Sequence, residues 1–427
     1  MIRLSGPTSV TIADEVFAGK SSVVEFAPRV QHLGAIVEQD TKLDDVLLTV
    51  FRAPHSYTGE NLVEIACHGG VLVTRRILEL LLARGARSAE AGEFTQRAFL
   101  HGKMDLTQAE AVMDLISAQT DLALRAASEQ LEGTLGKRIE AVRGAFVDLL
   151  ANVEAYIDFP DEDIEPETGL LLIAKVDAIL DQTQALLDTA SHGRVLREGL
   201  RTVIYGAPNV GKSSLLNVLL GYERAIVSAR PGTTRDMIEE VVNLCGYPVR
   251  LIDTAGIRDS DDEIEQAGMA RTRRQVELAD LVLHVVDASA PKTNDAAVGE
   301  WRAKSLLILN KADLDEHADW RGADGVRISC LKNQGIDALN AAIVQRITGG
   351  GAAHRNWSVA INARHQACLQ QVRMHALAAR EGMAEGRPPE FVAQDLRDGM
   401  QAVGEIVGRV DSDEILGKIF STFCIGK

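Results

Sequence analysis

The stretch Gly206-Ala-Pro-Asn-Val-Gly-Lys-Ser213 decides the fold of the region around it. It follows a short apolar run, Thr202–Tyr205, and precedes an apolar helical stretch, Ser214–Leu220. Strand, glycine-rich loop and helix in this order are the setting of a phosphate-binding loop. The glycines let backbone N–H groups turn toward a polyphosphate, and the helix directs its positive end at the same anion. The pattern predicts that Lys212 reaches the β- and γ-phosphates and that Ser213 offers its hydroxyl to Mg²⁺.

Two further motifs follow at the spacing of switch segments. A threonine within Ala225–Asp236 can coordinate Mg²⁺, touch the γ-phosphate and so sense hydrolysis. The apolar run Val249–Ile252 ends in Asp253, which would hold Mg²⁺ through water, and the Gly256 N–H would contact the γ-phosphate.

The base is read by a fourth motif, Asn310-Lys-Ala-Asp313, which ends the apolar run Leu306–Leu309. The Asp313 carboxylate can accept from guanine N1–H and its 2-amino group, whereas adenine has neither donor there. The stretch Val326-Arg-Ile-Ser329-Cys-Leu331 would close the base pocket. Four motifs in order, each at the carboxyl end of a strand, predict an α/β GTPase domain over residues 199–348, in an order similar to the translation-factor-related GTPases.

All of the candidate nucleotide-binding residues come from these motifs. They are Asn209, Val210, Gly211, Lys212, Ser213, Ser214, Ser228, Ala229, Arg230, Pro231, Gly232, Thr233, Thr234, Asp253, Thr254, Ala255, Gly256, Asn310, Lys311, Asp313, Ser329, Cys330 and Leu331.

The position that carries a water-orienting glutamine in many GTPases holds Ile257, which neither donates nor accepts. Another group must therefore position water, and the carboxylates of Asp259–Glu265 are candidates. The transition state also needs positive charge, for which the candidates are Arg230, Arg235, Arg258, an arginine of a partner and a bound cation. The amide oxygen of Asn209 could bind a monovalent cation beside the β–γ bridge.

Bulk composition limits the class of protein. The 427 residues carry a net charge of −16, which argues against general binding of a phosphate backbone. Five scattered cysteines without a CxxC pair fit a reducing compartment. Neither a signal peptide nor an apolar run long enough to span a membrane is present, so we expect a cytoplasmic protein.

The regions on either side of the GTPase domain differ in pattern. Strands are predicted for four short apolar runs, Ser22–Phe26, Leu33–Glu38, Asp45–Phe51 and Leu62–Ala66. A helix closed by Gly85 is predicted over Thr74–Arg84. Residues 1–101 are therefore expected to form an α+β domain. Residues 102–198 read as helices, with a capping box at Thr107-x-x-Glu110 and a second helix at Leu171–Ser191 that ends near Gly193.

Residues 349–427 are also helical, over Asn362–Arg380, Phe391–Arg409 and Glu414–Phe420, the last capped by Asp411. Helices on both sides of an α/β insertion predict one all-α domain that is split in sequence. The expected fold is therefore multidomain, with an α+β amino-terminal domain, a split helical domain and an inserted P-loop GTPase domain.

Across its whole length the chain resembles the MnmE family, also called TrmE, of tRNA-modification GTPases. The stretches that carry the resemblance are Pro54–Glu60, Cys67–Gly70, Gly92–Leu100, Asp158–Asp161, Gly232–Asp236 and the terminal Phe423-Cys-Ile-Gly-Lys427. An internal GTPase domain joined to that pentapeptide is highly specific to the family. Family members carry a further strand and a glycine-rich turn before the segment that matches Ile2–Gly6, so we expect those elements upstream of Met1.

The resemblance implies an amino-terminal domain that binds tetrahydrofolate and forms a homodimer, with GTPase domains that dimerise transiently. It implies a heterotetramer with an FAD-containing partner, MnmG (GidA), that puts an aminomethyl or carboxymethylaminomethyl group on the wobble uridine of certain tRNAs. By the same resemblance, the one-carbon unit would come from 5,10-methylene-tetrahydrofolate, with 5-formyl-tetrahydrofolate as a related ligand. GTP would be hydrolysed to GDP with Mg²⁺, and K⁺ would take the place of an arginine finger.

Residue by residue, the family's sites fall on named positions of this sequence. The K⁺ site is similar to Asn209, Ser228, Arg230 through its backbone and Thr233. The Mg²⁺ ligands look like Ser213 and Thr234, and the water-orienting carboxylate looks like Glu265. The folate site would use Arg3, Glu64, Lys103 and Lys427, and Cys424 would lie near that centre as a thiol of the modification site.

A second class of function competes with this one. A GTP-switched assembly factor, of the kind that acts in ribosome maturation, would share the GTPase motifs and have no one-carbon chemistry. Binding of tetrahydrofolate distinguishes the two.

Overall fold

The computed structural model describes residues 1–158, 169–222, 240–252, 274–292, 301–348, 359–409, 413–423 and 426. The chain divides into two compact units, Met1–Met113 with Gly404–Lys427, and Asp114–Val403. Within the first unit, segments from the two ends of the chain therefore fold together.

The first unit contains a five-stranded antiparallel sheet in the order β1-β5-β4-β3-β2. Its strands are β1 Ile2–Ser5, β2 Phe17–Ala18, β3 Gln31–Glu38, β4 Thr41–Phe51 and β5 Leu62–Ala66. Its helices are α1 Ser9–Asp14, α2 Val71–Ala83, α3 Glu93–Leu100, the start of α4 Leu106–Ser117, the end of α12 Pro389–Val407 and α13 Asp413–Ser421.

Alternation along the strands places one face of this sheet in the core. Val46, Leu48 and Val50 of β4 are buried with Val63 and Ile65 of β5, because successive side chains of a strand point to opposite faces. On the other face Thr49 pairs with Glu64, and Glu64 pairs with Arg3. The register thus puts Arg3 and Glu64 side by side on the face away from the core.

The carboxy-terminal helix packs within the first unit. Leu416, Phe420 and Phe423 form an apolar cluster with Leu106 and Ala109 of α4. Gly92 has a positive φ of 70°, and a Cβ there would lie 2.8 Å from the Phe420 carbonyl oxygen. The close approach therefore requires glycine at this position.

The second unit contains a six-stranded sheet in the order β11-β10-β9-β6-β8-β7, parallel except for the β7–β8 hairpin. Its strands are β6 Leu200–Tyr205, β7 Glu240–Leu244, β8 Tyr247–Leu251, β9 Leu281–Asp287, β10 Ser305–Asn310 and β11 Val326–Arg327. Helices α9 Lys212–Tyr222 and α10 Ile336–Thr348 belong to this layer. Buried runs such as Leu281–Leu283 are expected where both faces of a parallel sheet are covered.

The helical part of the second unit comes from both sides of the α/β insertion. Its helices are α5 Asp121–Leu131, α6 Thr134–Asp158, α7 Gly169–Leu187, α8 Ala190–Glu198, α11 Ala363–Glu385 and most of α12. Arg397 of α12 donates to Glu154 of α6 at 2.8 Å, and Gly399 lies against the buried Phe146. These contacts join segments more than two hundred residues apart and confirm the predicted split helical domain with an inserted α/β fold.

Three local predictions were wrong. Val23–Glu25 within the predicted strand Ser22–Phe26 is a 3₁₀ helix whose cap, Ser22, accepts from the Val24 N–H. The capping box lies two residues earlier than Thr107 and Glu110. Asp105 accepts from the Gln108 N–H at 2.9 Å, and the Gln108 side chain accepts from the Asp105 N–H at 3.0 Å. Thr107 instead donates its hydroxyl to Asp105.

The helix predicted over Leu171–Ser191 is in fact two helices, α7 and α8, and Gly193 lies inside α8 instead of ending it. A Cβ at Gly193 would lie 2.7 Å from the Ile361 carbonyl oxygen, so close packing and not a helix end explains this glycine. Helix α8 ends at its cap residue Gly199, which has a positive φ of 82°. The predicted cap Asp411 lies outside the described residues.

Candidate functional site

The phosphate-loop segment connects β6 to α9 as the sequence predicts. Gly206 lies so close to β9 that a Cβ would be 2.2 Å from the Val285 carbonyl oxygen. Asn209 and Gly211 have positive φ values of 63° and 100°. These conformations turn the loop back on itself at the start of a helix, the geometry that presents backbone N–H groups to an anion.

Lys212 is the first residue of α9 and folds back over the loop. Its ammonium donates to the carbonyl oxygens of Gly206 at 3.0 Å and Ala207 at 2.8 Å. Burial lowers its pKa from the ordinary value. A half-buried ammonium held at the mouth of the loop is suited to a polyphosphate, which would compensate its lost hydration.

Two loop side chains are candidates for cation ligands. Asn209 is exposed, and its side chain makes no hydrogen bond within the part of the chain that is described, so its amide oxygen can accept a cation. Ser213 is exposed in the first turn of α9. Both are hard oxygen donors, the chemistry that suits Mg²⁺ and alkali cations.

The base-recognition motif is tied to the phosphate loop by Asn310, which is 3% exposed. Its Nδ2 donates to the Val210 carbonyl oxygen at 2.8 Å, and its Oδ1 accepts from the Cys330 N–H at 3.2 Å. One side chain thereby links three of the predicted motifs. One N–H and one acceptor site of the amide are used to position these loops, and the second N–H of Asn310 stays available to a ligand.

Asp313 is oriented by Ser329, which is fully buried and donates its hydroxyl to Asp313 Oδ1 at 2.6 Å. This hydrogen bond is the main cause of a lowered pKa at Asp313. The carboxylate is therefore ionised and held in place, as an acceptor for two guanine N–H donors must be. Ser329 also accepts from the Lys332 N–H at 3.1 Å, which closes the turn after the strand.

The other two residues predicted to close the base pocket differ in exposure. Cys330 is half-buried, and burial raises the pKa of its thiol to about 11. Leu331 is 88% exposed, far more than is usual for a leucine. An exposed leucine next to the Asp313–Ser329 pair can cover the edge of a bound base.

Sequence reasoning missed a further pair at the same sheet edge. Lys311 has a positive φ of 62°, a conformation that costs a non-glycine residue about 1–2 kcal/mol. Its ammonium donates to Asp287 Oδ2 at 2.6 Å, and Asp287 Oδ1 accepts from the Ser289 N–H and hydroxyl. The available signal was an aspartate at the carboxyl end of a strand that is otherwise apolar.

Several predicted site residues lie outside the described residues. They are Ser228, Ala229, Arg230, Pro231, Gly232, Thr233, Thr234, Asp253, Thr254, Ala255, Gly256, Glu265, Cys424 and Lys427, together with Ile257.

Three of the four residues predicted for folate lie in the first unit, and two of them, Arg3 and Glu64, are in contact. Arg3 donates to Glu64 Oε1 through Nη2 at 2.6 Å and Nε at 2.9 Å. The Arg3 guanidinium also lies 5.8 Å from the Tyr57 ring centre and 5.7 Å from that of Phe94. Lys103 donates to the carbonyl oxygen of Pro54, at the start of the loop that carries Tyr57.

A network of charged side chains connects that loop to neighbouring elements of the same unit. Arg97 donates to Glu60 Oε2 at 3.0 Å and to Glu93 Oε1 at 2.7 Å, and Glu93 also accepts from Arg87. The hydrogen bond from Arg87 is the main cause that lowers the pKa of Glu93, to about 2. Glu60 in turn accepts from Ser5 of β1 at 2.9 Å, so the network connects α3, the loop and the strand that carries Arg3.

Comparison with known proteins covers nearly the entire chain. Residues 1–103 match the family described as the GTP-binding protein TrmE N-terminus, and residues 106–424 match the MnmE helical domain. A protein of Akkermansia muciniphila named tRNA modification GTPase MnmE is 50% identical over 429 residues, covering 100% of this chain and 95% of that protein. A protein of the same name from Natranaerobius thermophilus is 43% identical, covering 100% of this chain and 96% of that protein.

The chain belongs to the MnmE (TrmE) family of tRNA-modification GTPases. It is therefore a GTPase that acts in tRNA modification, and GTP and GDP are its nucleotides. Among solved structures, the G domain of the T. maritima FeoB iron transporter is 27% identical, covers 34% of this chain and 98% of that domain, and has a TM-score of 0.26.

Membership of the MnmE family explains the order of the GTPase motifs along the chain. It also makes tRNA the macromolecule on which this enzyme acts. In the described part of the chain, we find no helix that is both long and apolar enough to cross a membrane.

Proposed function

We propose that this GTPase works in a K⁺-dependent cycle with an FAD-containing partner of the MnmG (GidA) type. Together they would add an aminomethyl or carboxymethylaminomethyl group to the wobble uridine of certain tRNAs, with a one-carbon unit from 5,10-methylene-tetrahydrofolate. The observation that supports this proposal is that the Arg3–Glu64 pair, Lys103 and the carboxy-terminal helix belong to one compact unit.

The chemistry of these side chains suits a folate. The aminopyrimidine edge of a reduced pterin presents N–H donors, which a carboxylate such as Glu64 can accept. The glutamate tail is anionic and suits Arg3, Lys103 and, at the chain end, Lys427. Tyr57, which is 36% exposed, lies near the Arg3 guanidinium and offers a planar face to an aromatic ring.

The end of the chain belongs to the same compact unit. Phe423 is 6% exposed and is held in the apolar cluster with α4, so the residues that follow it begin at this unit. We propose that Lys427 completes the folate site and that Cys424 is a thiol of the modification centre.

For the GTPase reaction, we propose that Asn209, Ser228, the Arg230 backbone and Thr233 hold K⁺, and that Ser213 and Thr234 hold Mg²⁺. A bound alkali cation supplies positive charge to the phosphoryl-transfer transition state, where Ile257 cannot help. The chain's own part is to cradle the phosphates with the loop, pair them with Lys212 and orient water with Glu265.

The proposed assembly follows the family. Residues 1–101 would form the folate-binding and dimerising domain, residues 102–198 and 349–427 the helical domain, and residues 199–348 the GTPase domain. The homodimer would combine with the FAD-containing partner as a heterotetramer in the cytoplasm, and the GTPase domains would pair transiently.

Equilibrium binding of 5-formyl-tetrahydrofolate to the full chain tests the proposal. Glu64→Gln and Arg3→Met should each weaken binding by about tenfold or more, the scale of a lost charge-assisted hydrogen bond. Arg75→Met is the matched control, because Arg75 forms an exposed ion pair with Glu79 on α2 of the same unit.

A second measurement concerns the tRNA itself. Mass spectrometry of wobble uridine from a strain lacking the protein should show loss of the modification, with recovery on wild-type expression and not on Glu64→Gln. Normal modification in the deletion strain, or no folate binding by the wild-type chain, would favour a GTP-switched assembly factor instead.

A further inference from the structure

The order of the strands determines which part of the sheet edge a bound nucleotide must cross. In the sequence of neighbours β10-β9-β6, strand β9 lies between the strand before the phosphate loop and the strand before Asn310-Lys-Ala-Asp313. These strands are parallel, so their carboxyl ends share one edge. A nucleotide that reaches both the loop and Asp313 therefore passes over the end of β9, where Asp287 lies.

The two residues at this crossing form a defined pair. Asp287 is directly in register with Asn310, and Lys311 follows Asn310. The Lys311 ammonium lies 2.6 Å from Asp287 Oδ2, and the side chains are 35% and 19% exposed. Burial alone would raise the pKa of Asp287, but hydrogen bonds from Lys311 and Ser289 outweigh burial and lower it.

We propose that Asp287 is a positioning residue for the guanine nucleotide, which acts by holding the Lys311 side chain across the end of β9 beneath the bound nucleoside. Without Asp287 the lysine side chain regains the freedom of its four methylene torsions, and that freedom must be lost again when nucleotide binds. With Asp287 the methylene stem of Lys311 is already laid across the sheet edge. The Ser289 hydrogen bonds fix the carboxylate in turn.

The proposal predicts an effect on binding and not on the chemical step. Asp287→Asn in the full chain should weaken GDP binding, measured by calorimetry, by about tenfold. The KM for GTP should rise by a similar factor while kcat stays within about twofold, as expected when an interaction common to ground and transition states is lost.

A double-mutant cycle separates positioning from a general structural role. Lys311→Met keeps the methylene stem and removes the ammonium, so Asp287 can then no longer hold the side chain of residue 311. In that background Asp287→Asn should change GDP affinity by less than about twofold, whereas independent effects would simply multiply. Glu316→Gln is the matched control, since it breaks the ion pair of Glu316 with Arg327 on strand β11, whose atoms lie 2.8 Å apart.

Unchanged GDP affinity in Asp287→Asn would overturn the proposal, and so would an equal loss in the Lys311→Met background. If Asp287→Asn does not fold, Asp287→Glu keeps the charge and displaces the carboxylate by one methylene. That variant should also bind GDP less tightly than wild type, and wild-type affinity there would equally overturn the proposal.

Discussion

Asn310 and Val210 are 100 residues apart in sequence and are joined by a hydrogen bond of 2.8 Å from Asn310 Nδ2 to the Val210 carbonyl oxygen. The bond links the predicted base-recognition segment to the predicted phosphate loop. Because Asn310 also accepts from the Cys330 N–H, its single side chain sets the distance between the two halves of the nucleotide site.

Asn310→Ala should therefore destabilise the GTPase domain by about 1–3 kcal/mol, because it leaves two backbone groups without their partner. Nucleotide affinity should fall as well. Thermal unfolding and GDP titration measure the two effects. Asn340→Ala is the matched control, since Asn340 is 4% exposed and its Oδ1 has no hydrogen-bond partner among the described residues. Equal losses of affinity in both variants would contradict the role given to Asn310.

Gly211→Ala should abolish tight nucleotide binding. A Cβ at Gly211 would lie 2.1 Å from Asn310 Nδ2, and its φ of 100° disfavours any other residue. Gly221→Ala is the control within the following helix, where a Cβ meets nothing within 4 Å. That variant should bind GDP normally and gain about 0.5–1 kcal/mol of stability from better helix propensity. Normal GDP binding by Gly211→Ala would disprove the steric argument.

GTP hydrolysis should be much slower in Na⁺ than in K⁺ at equal ionic strength, if Asn209 helps to hold an alkali cation as proposed. Asn209→Ala should reduce the rate in K⁺ toward the rate in Na⁺ and leave GDP affinity nearly unchanged. Arg230→Ala should lose little activity, since only its backbone is proposed to take part. Steady-state phosphate release measures all three, and equal rates in the two salts would exclude the cation site.

Glu265→Ala should retain GTP binding and slow hydrolysis by about 10²-fold or more, the scale of a lost water-positioning or acid–base group. Asp261→Ala is a control within the same acidic segment. Single-turnover hydrolysis of bound GTP measures the chemical step directly, and wild-type turnover in Glu265→Ala would reject the proposed role.

The stability of the first unit should depend on pH through Glu93. Its pKa in the folded protein is about 2, well below the ordinary value of 4.5, chiefly because of the hydrogen bond from Arg87. A carboxylate with a lowered pKa contributes stability above pH 4.5 that is lost as the pH falls toward 2. Glu93→Gln should therefore cost about 3 kcal/mol at pH 7, and the difference from wild type should shrink as the pH approaches 2.

Glu79→Gln provides the comparison for Glu93. Its ion pair with Arg75 is exposed on α2, so the substitution should cost less than about 0.5 kcal/mol at any pH. Thermal unfolding of the three proteins between pH 2 and pH 7 measures the difference. A constant gap between wild type and Glu93→Gln over this range would contradict the coupling to Arg87.

Local patterns carried most of the fold prediction. The segment from Thr202 to Leu220 was predicted as strand, loop and helix, and the structure has each of them, because strand burial, glycine conformation and helix periodicity are all set within a few residues. The same reasoning failed at Ser22–Phe26, where an apolar run matched a strand but the Ser22 cap favoured a 3₁₀ turn. Two capping patterns competed near Thr107, and Asp105 with Gln108 formed the box.

Residue types and spacing by themselves determined the GTPase motifs, the apolar strands behind them and the helical segments on either side, since each depends on neighbours in the chain. Only the tertiary structure decided that Asp287 meets Lys311, that Arg3 meets Glu64 and that Asn310 reaches Val210. Those contacts follow from strand order and register. Strand order and register depend on how distant apolar faces pack together, and a short sequence window contains no record of that packing.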